Sequence, residues 1–368
     1  CFEACSFATI MQYVVPGFLQ GYLYTVAGFE VYASWVAVAI LASALIVYMQ
    51  YIGTKKAAKL QNILTCIIAG VGLLLVAGSA VTGDMNNLSG QEFVGDNGGD
   101  IISNILKVAI MTPFFLFGFD VIPQAAEEIN MPLKRLGKLM IASIGMAVVF
   151  YAMIVVAIGY VMNPEQIAAS MADTGMVTAD AIAIAFSNEA MTKVLIIGGL
   201  CGIVTTWNSF LIGGSRVIFS MSKARMLPKT FSKLHPEYNT PWVAILFLGI
   251  LSMIAPLFGR VMLVWIVDAA NFACCLAYCM VALSFLRLRK TKPNMARPFR
   301  VKSGQLIGSL AVLMSGFMAL MYMIPGTNCS LTWQEWIIVG GWAFIGVLMA
   351  IRAVRLNGDD FCSGMNFE

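Results

Sequence analysis

Between Val108 and Ile129 the chain reads V-A-I-M-T-P-F-F-L-F-G-F-D-V-I-P-Q-A-A-E-E-I. The run has the continuous apolar character of a helix that crosses a bilayer, yet Pro113 and Pro123 bracket Phe117-Gly118-Phe119-Asp120 near its middle. Each proline removes a backbone donor and crowds the preceding turn, and glycine at 118 admits backbone angles that other residues avoid. A break near Gly118 is expected. In lipid an interrupted helix bares N–H and C=O groups that cost several kcal/mol each when unpaired, so a break persists only where protein or a watery cavity surrounds it. Two arrangements satisfy these residues equally well. In one, Asp120 caps a second half-helix, Pro123 sits in its first turn, and the freed N–H groups at its positive end meet a carboxylate. In the other, the helix is simply kinked and Asp120 bonds to nearby backbone.

The rest of the chain has the composition such a helix requires. Of 368 residues, 60% are hydrophobic and 11% charged, against roughly 25% charged in an ordinary soluble domain. Mean hydropathy is +0.83. A soluble fold this apolar has too few polar residues to cover its surface, so the outer face must meet lipid. Crossing the hydrocarbon takes about 20 apolar residues at about 1.5 Å each, and ten stretches qualify: 1–20, 33–53, 60–83, 105–129, 137–162, 193–219, 242–258, 261–287, 305–325 and 334–355. The alternating pattern of an outer-membrane barrel is absent from them. The expected fold class is therefore all-α, a polytopic helical membrane protein. No separate soluble domain is expected, since the longest piece between spans, 163–192, is loop-sized with room for a short surface helix. Cys1 opens inside an apolar run, without the charged start and small-residue cleavage site of a signal peptide, so the chain reads as a fragment.

Charge placement orients the spans. Twenty of the 23 basic residues fall on one side: in the links holding Lys55 to Lys59, Lys134 to Lys138, Arg216 to Lys233 and Arg287 to Lys302, and in the tail with Arg352 and Arg355. The positive-inside rule puts these links and both termini in the cytoplasm of a cell or inner membrane. The net charge of +4, placed this way, argues against a nucleic-acid partner. Six of the nine cysteines, among them Cys274, Cys275 and Cys279, lie within spans as small apolar packing residues. His235 is the single histidine, so zinc centres and serine-hydrolase triads are disfavoured, and the sequence implies no metal, no cofactor and no enzyme.

Three motifs carry a family resemblance. The stretch Phe115 to Pro132, F-L-F-G-F-D-V-I-P-Q-A-A-E-E-I-N-M-P, with Lys134 and Arg135 after it, resembles the sixth transmembrane helix and adjoining link of amino acid permeases of the amino acid/polyamine/organocation superfamily. Ser215-Arg216 through Lys223-Ala224-Arg225-Met226-Leu227-Pro228 to Asn239-Thr240-Pro241 is similar to the family's eighth helix and the link to its ninth. Arg297-Pro298-Phe299-Arg300-Val301 is similar to the basic stretch before its eleventh. The resemblance implies a single transporter domain over 1–368, made of family helices three to twelve, in a leucine-transporter-like inverted-repeat fold that lacks its first two helices. It implies a secondary transporter moving an amino acid by alternating access, as symporter or exchanger. A polyamine or organic-cation exchanger is the alternative, and a non-transporting amino-acid sensor a weaker one, because the tail after Leu356 is too short for a signalling domain.

On the same resemblance, the backbone at Phe117, Gly118 and Phe119 faces the substrate, Asp120 lies beside it, and Phe117 or Phe119 closes over it as a gate. Either ring also serves as ordinary packing. Glu127 and Glu128, near Lys134, Arg135 and Arg216, read as an inner-gate ion pair or a static interfacial one. Asp268, with Asn271 three residues on and so on the same helical face, is an acid at membrane depth and a candidate for proton coupling or an outer gate. Thr205, Thr206 and Ser209, with Asn208, form a polar patch suited to an ion or substrate, although such hydroxyls also bond back to their own helix. Gly198 and Gly202 read as a packing face. The coupling ion is H+ or Na+. Where some proton-coupled members carry a lysine, Asn62 to Ala69 has none, which speaks against a lysine-based proton mechanism. The partners expected are an amino acid or amine and the lipid bilayer; the sequence assigns no oligomeric state.

Overall fold

The computed structural model describes residues 1–15, 17–89, 98–126, 131–173, 175–297, 299–327 and 329–358. Helix α1 spans Phe2–Val14 and is followed by a hairpin, β1 Tyr22–Val26 and β2 Phe29–Tyr32. Then come α2 Ala33–Tyr51, α3 Thr54–Thr82, the short α4 Met85–Ser89, α5 Gly98–Leu116, the short α6 Val121–Gln124, and α7 Leu133–Val161. The remaining helices are α8 Pro164–Asp173, α9 Val177–Phe186, α10 Ala190–Lys223, α11 Trp242–Ile254, α12 Met262–Thr291, α13 Gly304–Met323 and α14 Trp333–Asn357. Eight helical units among the described residues are long and apolar enough to cross a membrane: α2, α3, α5 with α6, α7, α10, α12, α13 and α14. The protein is a polytopic helical membrane protein.

Two of the ten expected spans are shorter than predicted. The stretch 242–258 becomes α11 followed by a tight 3₁₀ turn, Ala255–Phe258. The stretch 1–20 becomes the 13-residue α1, about 20 Å long at about 1.5 Å per residue. The chain leaves α1 at Val15 in extended backbone and forms the hairpin, the one departure from an all-helical reading among the described residues. Its two-residue loop, Ala27 and Gly28, has positive φ at both positions, +46° and +86°, the geometry whose twist suits adjoining strands. Val31 anchors it in a cluster with Cys5, Ala8, Trp35, Val36, Ala39 and Ala255, and the Tyr24 hydroxyl donates to the Leu257 carbonyl.

The link 163–192 holds the expected short surface helix, α8, and also a second helix, α9, one face of which is buried. Ala181, Ile182 and Ala185 join Leu75, Ala157, Val161 and Met162 in one core cluster between α3 and α7. Ala179, Ala181, Ile182 and Ala185 give α9 an apolar face that packs inward, while Ile184 stays 42% exposed and Asp180 accepts the Ser170 hydroxyl.

Small residues set the central seam. Where α10 crosses α3, a methyl group added at Gly198 would meet Val71 at 3.0 Å, and one at Gly202 would run into Ile68. A second cluster, Ala4, Ile46, Val47, Trp207, Leu211 and Ile245, ties α1, α2, α10 and α11 together. By contrast Met146, Val155, Leu313, Ile337 and Leu348 stand exposed on α7, α13 and α14, as a face toward lipid requires.

Candidate functional site

The α5 to α6 unit breaks where the prolines and glycine predict. α5 ends at Leu116 with Pro113 in its last turn, residues 117–120 form a turn, and α6 resumes at Val121. Gly118 has φ +123° with open space where a side chain would project. This value lies far outside what a residue with a Cβ adopts readily.

Asp120 holds the turn differently from the predicted cap. It stands at the N-cap position of α6 but makes no side-chain capping bond there. Its Oδ1 accepts the Gly118 N–H at 3.0 Å, and its Oδ2 accepts from Gln124 Nε2 at 3.2 Å. The N–H groups of Val121 and Ile122 donate to the carbonyls of Gly118 and Phe119, at 3.2 and 3.3 Å. The groups left over are therefore one step earlier in the chain. Among the described residues, the N–H groups of Phe119 and Asp120 and the carbonyls of Leu116 and Phe117 have no hydrogen-bond partner. Two donors and two acceptors thus sit within five residues of half-buried backbone.

Aromatic rings surround them. Phe2 packs edge-on to Phe114 at 5.2 Å between centroids, Phe114 to Phe117 at 5.7 Å, and Phe117 to Tyr278 of α12 at 6.4 Å. Phe119 meets the same Tyr278 ring at 5.7 Å. The Tyr278 hydroxyl is buried and has no hydrogen-bond partner among the described residues. Sequence reasoning missed this tyrosine. It lies seven residues beyond Asn271, hence on the Asp268–Asn271 face of the helix, and extending that face by two turns would have found it.

The two sides of the break are fastened to different partners. Asn271, 1% exposed on α12, donates through Nδ2 to the Tyr322 hydroxyl of α13 and, at 3.3 Å, to the Ile110 carbonyl of α5. The Tyr322 hydroxyl also lies 3.3 Å from that carbonyl as donor. Asn271 is therefore a tether for α5, and its Oδ1 is buried without a partner among the described residues. α6 instead packs on α10, where the Gln124 side chain lies against Gly213 so closely that a methyl group there would collide with it. Asp268 is half-buried, and the neighbouring acid that acts on it electrostatically is Glu335. Glu335, 2% exposed, accepts the Thr332 N–H at 2.7 Å in the capping box that starts α14.

The polar patch on α10 divides. Thr205 and Thr206 bond back to the Gly202 carbonyl at 2.6 and 3.0 Å. Ser209 instead ends a directed chain across three helices. Gln50 of α2 donates to the Asn208 side-chain oxygen, Asn208 Nδ2 donates to Gln61 of α3 at 2.7 Å, and Gln61 Nε2 donates to Ser209 at 2.7 Å. Gln50 is fully buried, and its Oε1 has no partner among the described residues. Neither glutamine was foreseen, though each is a polar residue within or beside an apolar run. Arg216 is buried at 7% exposure and donates to Ser215 Oγ at 2.9 Å and to the Ile212 carbonyl at 3.3 Å. Glu127 and Glu128 lie outside the described residues.

Fold and break together define a class: a multi-pass helical membrane protein with an interrupted helix whose bare backbone is ringed by aromatics. Comparison with known proteins makes the class specific. Residues 1–349 match the amino acid permease family, and the chain belongs to it. It is 28% identical over 295 residues to a branched-chain amino acid permease of Bacillus subtilis, covering 80% of this chain and 60% of that protein. It is 27% identical over 295 residues to a glutamate/serine transporter of the same organism, covering 79% and 51%, and 26% identical over 249 residues to its methylthioribose transporter, covering 65% and 48%. The chain thus spans about half to three-fifths of the length of these relatives. The relatives are named as permeases and transporters.

Proposed function

We propose that this chain forms a single membrane domain of a secondary transporter that carries a neutral amino acid by alternating access around the break at Gly118. The observation that carries the reading is the set of unpaired backbone groups at 116–120. A zwitterion brings a carboxylate that needs donors and an ammonium that needs acceptors, and the turn offers both kinds where the helix no longer uses them. Phe117, Phe119 and Tyr278 supply apolar surface for a side chain, and the movement of a phenylalanine ring over the ligand serves as a gate.

The state of Asp120 favours a neutral substrate over a polyamine. Both of its oxygens already accept hydrogen bonds, one from the Gly118 N–H and one from the Gln124 side chain, so the acid nearest the break is committed to holding the turn against α6 rather than to meeting a cation. The names of the relatives, which include branched-chain amino acids and glutamate/serine, support an amino acid as substrate. The reading involves no covalent chemistry, no metal and no cofactor. It places the basic links on the cytoplasmic side of a cell membrane by the positive-inside rule, and the driving ion is H+ or Na+.

Radiolabelled uptake into proteoliposomes, across a panel of amino acids and polyamines at varied pH and sodium, tests all of this. Saturable uptake of neutral amino acids, abolished by Gly118→Leu, is expected. Full uptake by the Gly118→Leu protein would remove the break from the mechanism, and binding without exchange for every solute would turn the protein into a sensor.

A further inference from the structure

We propose that the groove between the end of α14 and the link that follows α10 binds the phosphate headgroup of an anionic phospholipid. The groove has a volume of about 550 Å³. Arg225, Lys229 and Arg352 line it together with Leu227, Leu348 and Leu356, and among the described residues no acid lines it.

Its walls are held in place. Arg225 adopts φ +61°, and its carbonyl accepts from Asn357 Nδ2 at 3.1 Å, which ties the link to α14. The Ser222 hydroxyl donates to the Pro228 carbonyl at 2.7 Å and closes the turn between them. Lys229 and Arg352 have neither a hydrogen bond nor an ion pair from their side chains among the described residues. Two cations without a partner, Lys229 and Arg352, therefore face one cavity beside Arg225, with no acidic residue lining it among the described residues.

Depth selects the ligand. From Trp333 to Arg352, α14 rises about 28 Å at about 1.5 Å per residue, close to a hydrocarbon thickness of about 30 Å. Trp333 is 70% exposed at the opposite end, as an interfacial anchor is. Arg352 thus lies at headgroup level when Trp333 does. Leu348, 50% exposed on the flank of α14, continues the groove into the lipid-facing surface, so a phosphate at the basic end has a path for its acyl chains. A free phosphate ion would use the charges and leave the apolar wall unused.

The test is retention of lipid by the full chain, purified in detergent and exchanged into mixed micelles of phosphatidylglycerol or phosphatidylcholine, with native mass spectrometry counting bound lipid. Preferential retention of phosphatidylglycerol is expected. It should fall about thirtyfold in affinity in Lys229→Gln/Arg352→Gln, given roughly fivefold per basic residue at a membrane surface, and persist in Lys229→Arg/Arg352→Lys. The control Lys290→Gln/Lys292→Gln removes the same charge from another basic link and should leave retention unchanged. Equal retention of both lipids, an equal loss in the control, or competition by millimolar inorganic phosphate with no lipid retained would each overturn the proposal.

Discussion

The ring of Tyr278 lies across that of Phe119, centroids 5.7 Å apart and planes 36° from parallel, and its hydroxyl is buried without a partner among the described residues. A stranded hydroxyl costs about 1–3 kcal/mol. Tyr278→Phe should therefore leave the ligand-free protein as heat-stable as before or more so. If the hydroxyl is kept for the substrate, the same variant binds substrate about tenfold more weakly, since a factor of ten corresponds to about 1.4 kcal/mol. Thermal shift with and without substrate reads both effects. A variant that loses stability but keeps affinity assigns Tyr278 to packing alone.

Gly118 separates conformation from crowding. Space is open where its side chain would project, so a substitution there meets backbone strain and nothing else. Gly118→Ala should destabilise by about 1–2 kcal/mol, seen as a lower melting temperature in detergent. An alanine variant as stable as the parent contradicts the φ of +123°.

Gly213 is the opposite case. An added methyl group meets the Gln124 side chain, and overpacking costs about 1–3 kcal/mol. Gln124→Ala loses the bond to Asp120 but vacates the space. In a double-mutant cycle, Gly213→Ala should cost less in the Gln124→Ala background than alone. Additive costs would mean that α6 and α10 do not meet through this pair.

Asn208 is the centre of the amide chain from Gln50 to Ser209. Replacing it by leucine leaves Gln50 Nε2 only its long bond to the residue 208 carbonyl, 3.4 Å, and strands an acceptor on Gln61, at about 1–3 kcal/mol for each group left unpaired and buried. Gln61→Leu should cost less, because Asn208 keeps its bond to Gln50 and Ser209 is only half-buried. Chemical or thermal unfolding of the three proteins checks the ranking, and a Gln61→Leu protein less stable than Asn208→Leu would reverse it.

Much of this structure is legible in the sequence because lipid imposes simple rules. Long apolar runs became helices from Ala33 to Asn357, and two prolines with a glycine placed the break within a residue. What escaped depends on packing between distant segments. The hairpin at Tyr22 to Tyr32 sits in a run with no interrupting charge until Glu30, and its position is decided by Val31 against Ala8 and Ala255. The burial of α9 depends on the gap between α3 and α7. Tyr278, Gln50 and Gln61 are single residues whose partners lie 147 or more positions away along the chain, or on another helix, and no local pattern marks such pairs. Asp120 was expected as a helix cap, but its Oδ1 turns back to the Gly118 N–H while its Oδ2 meets the Gln124 side chain.

The tethers on either side of the break have a mechanical meaning. Ile110 is held through Asn271 and Tyr322 to α12 and α13, while Gln124 is lodged against α10. In the proposed transport cycle, a rotation of α10 relative to the α12–α13 pair would pull α5 and α6 with different partners, and residues 117–120 between them would act as the hinge, changing the angle between their bare donors and acceptors.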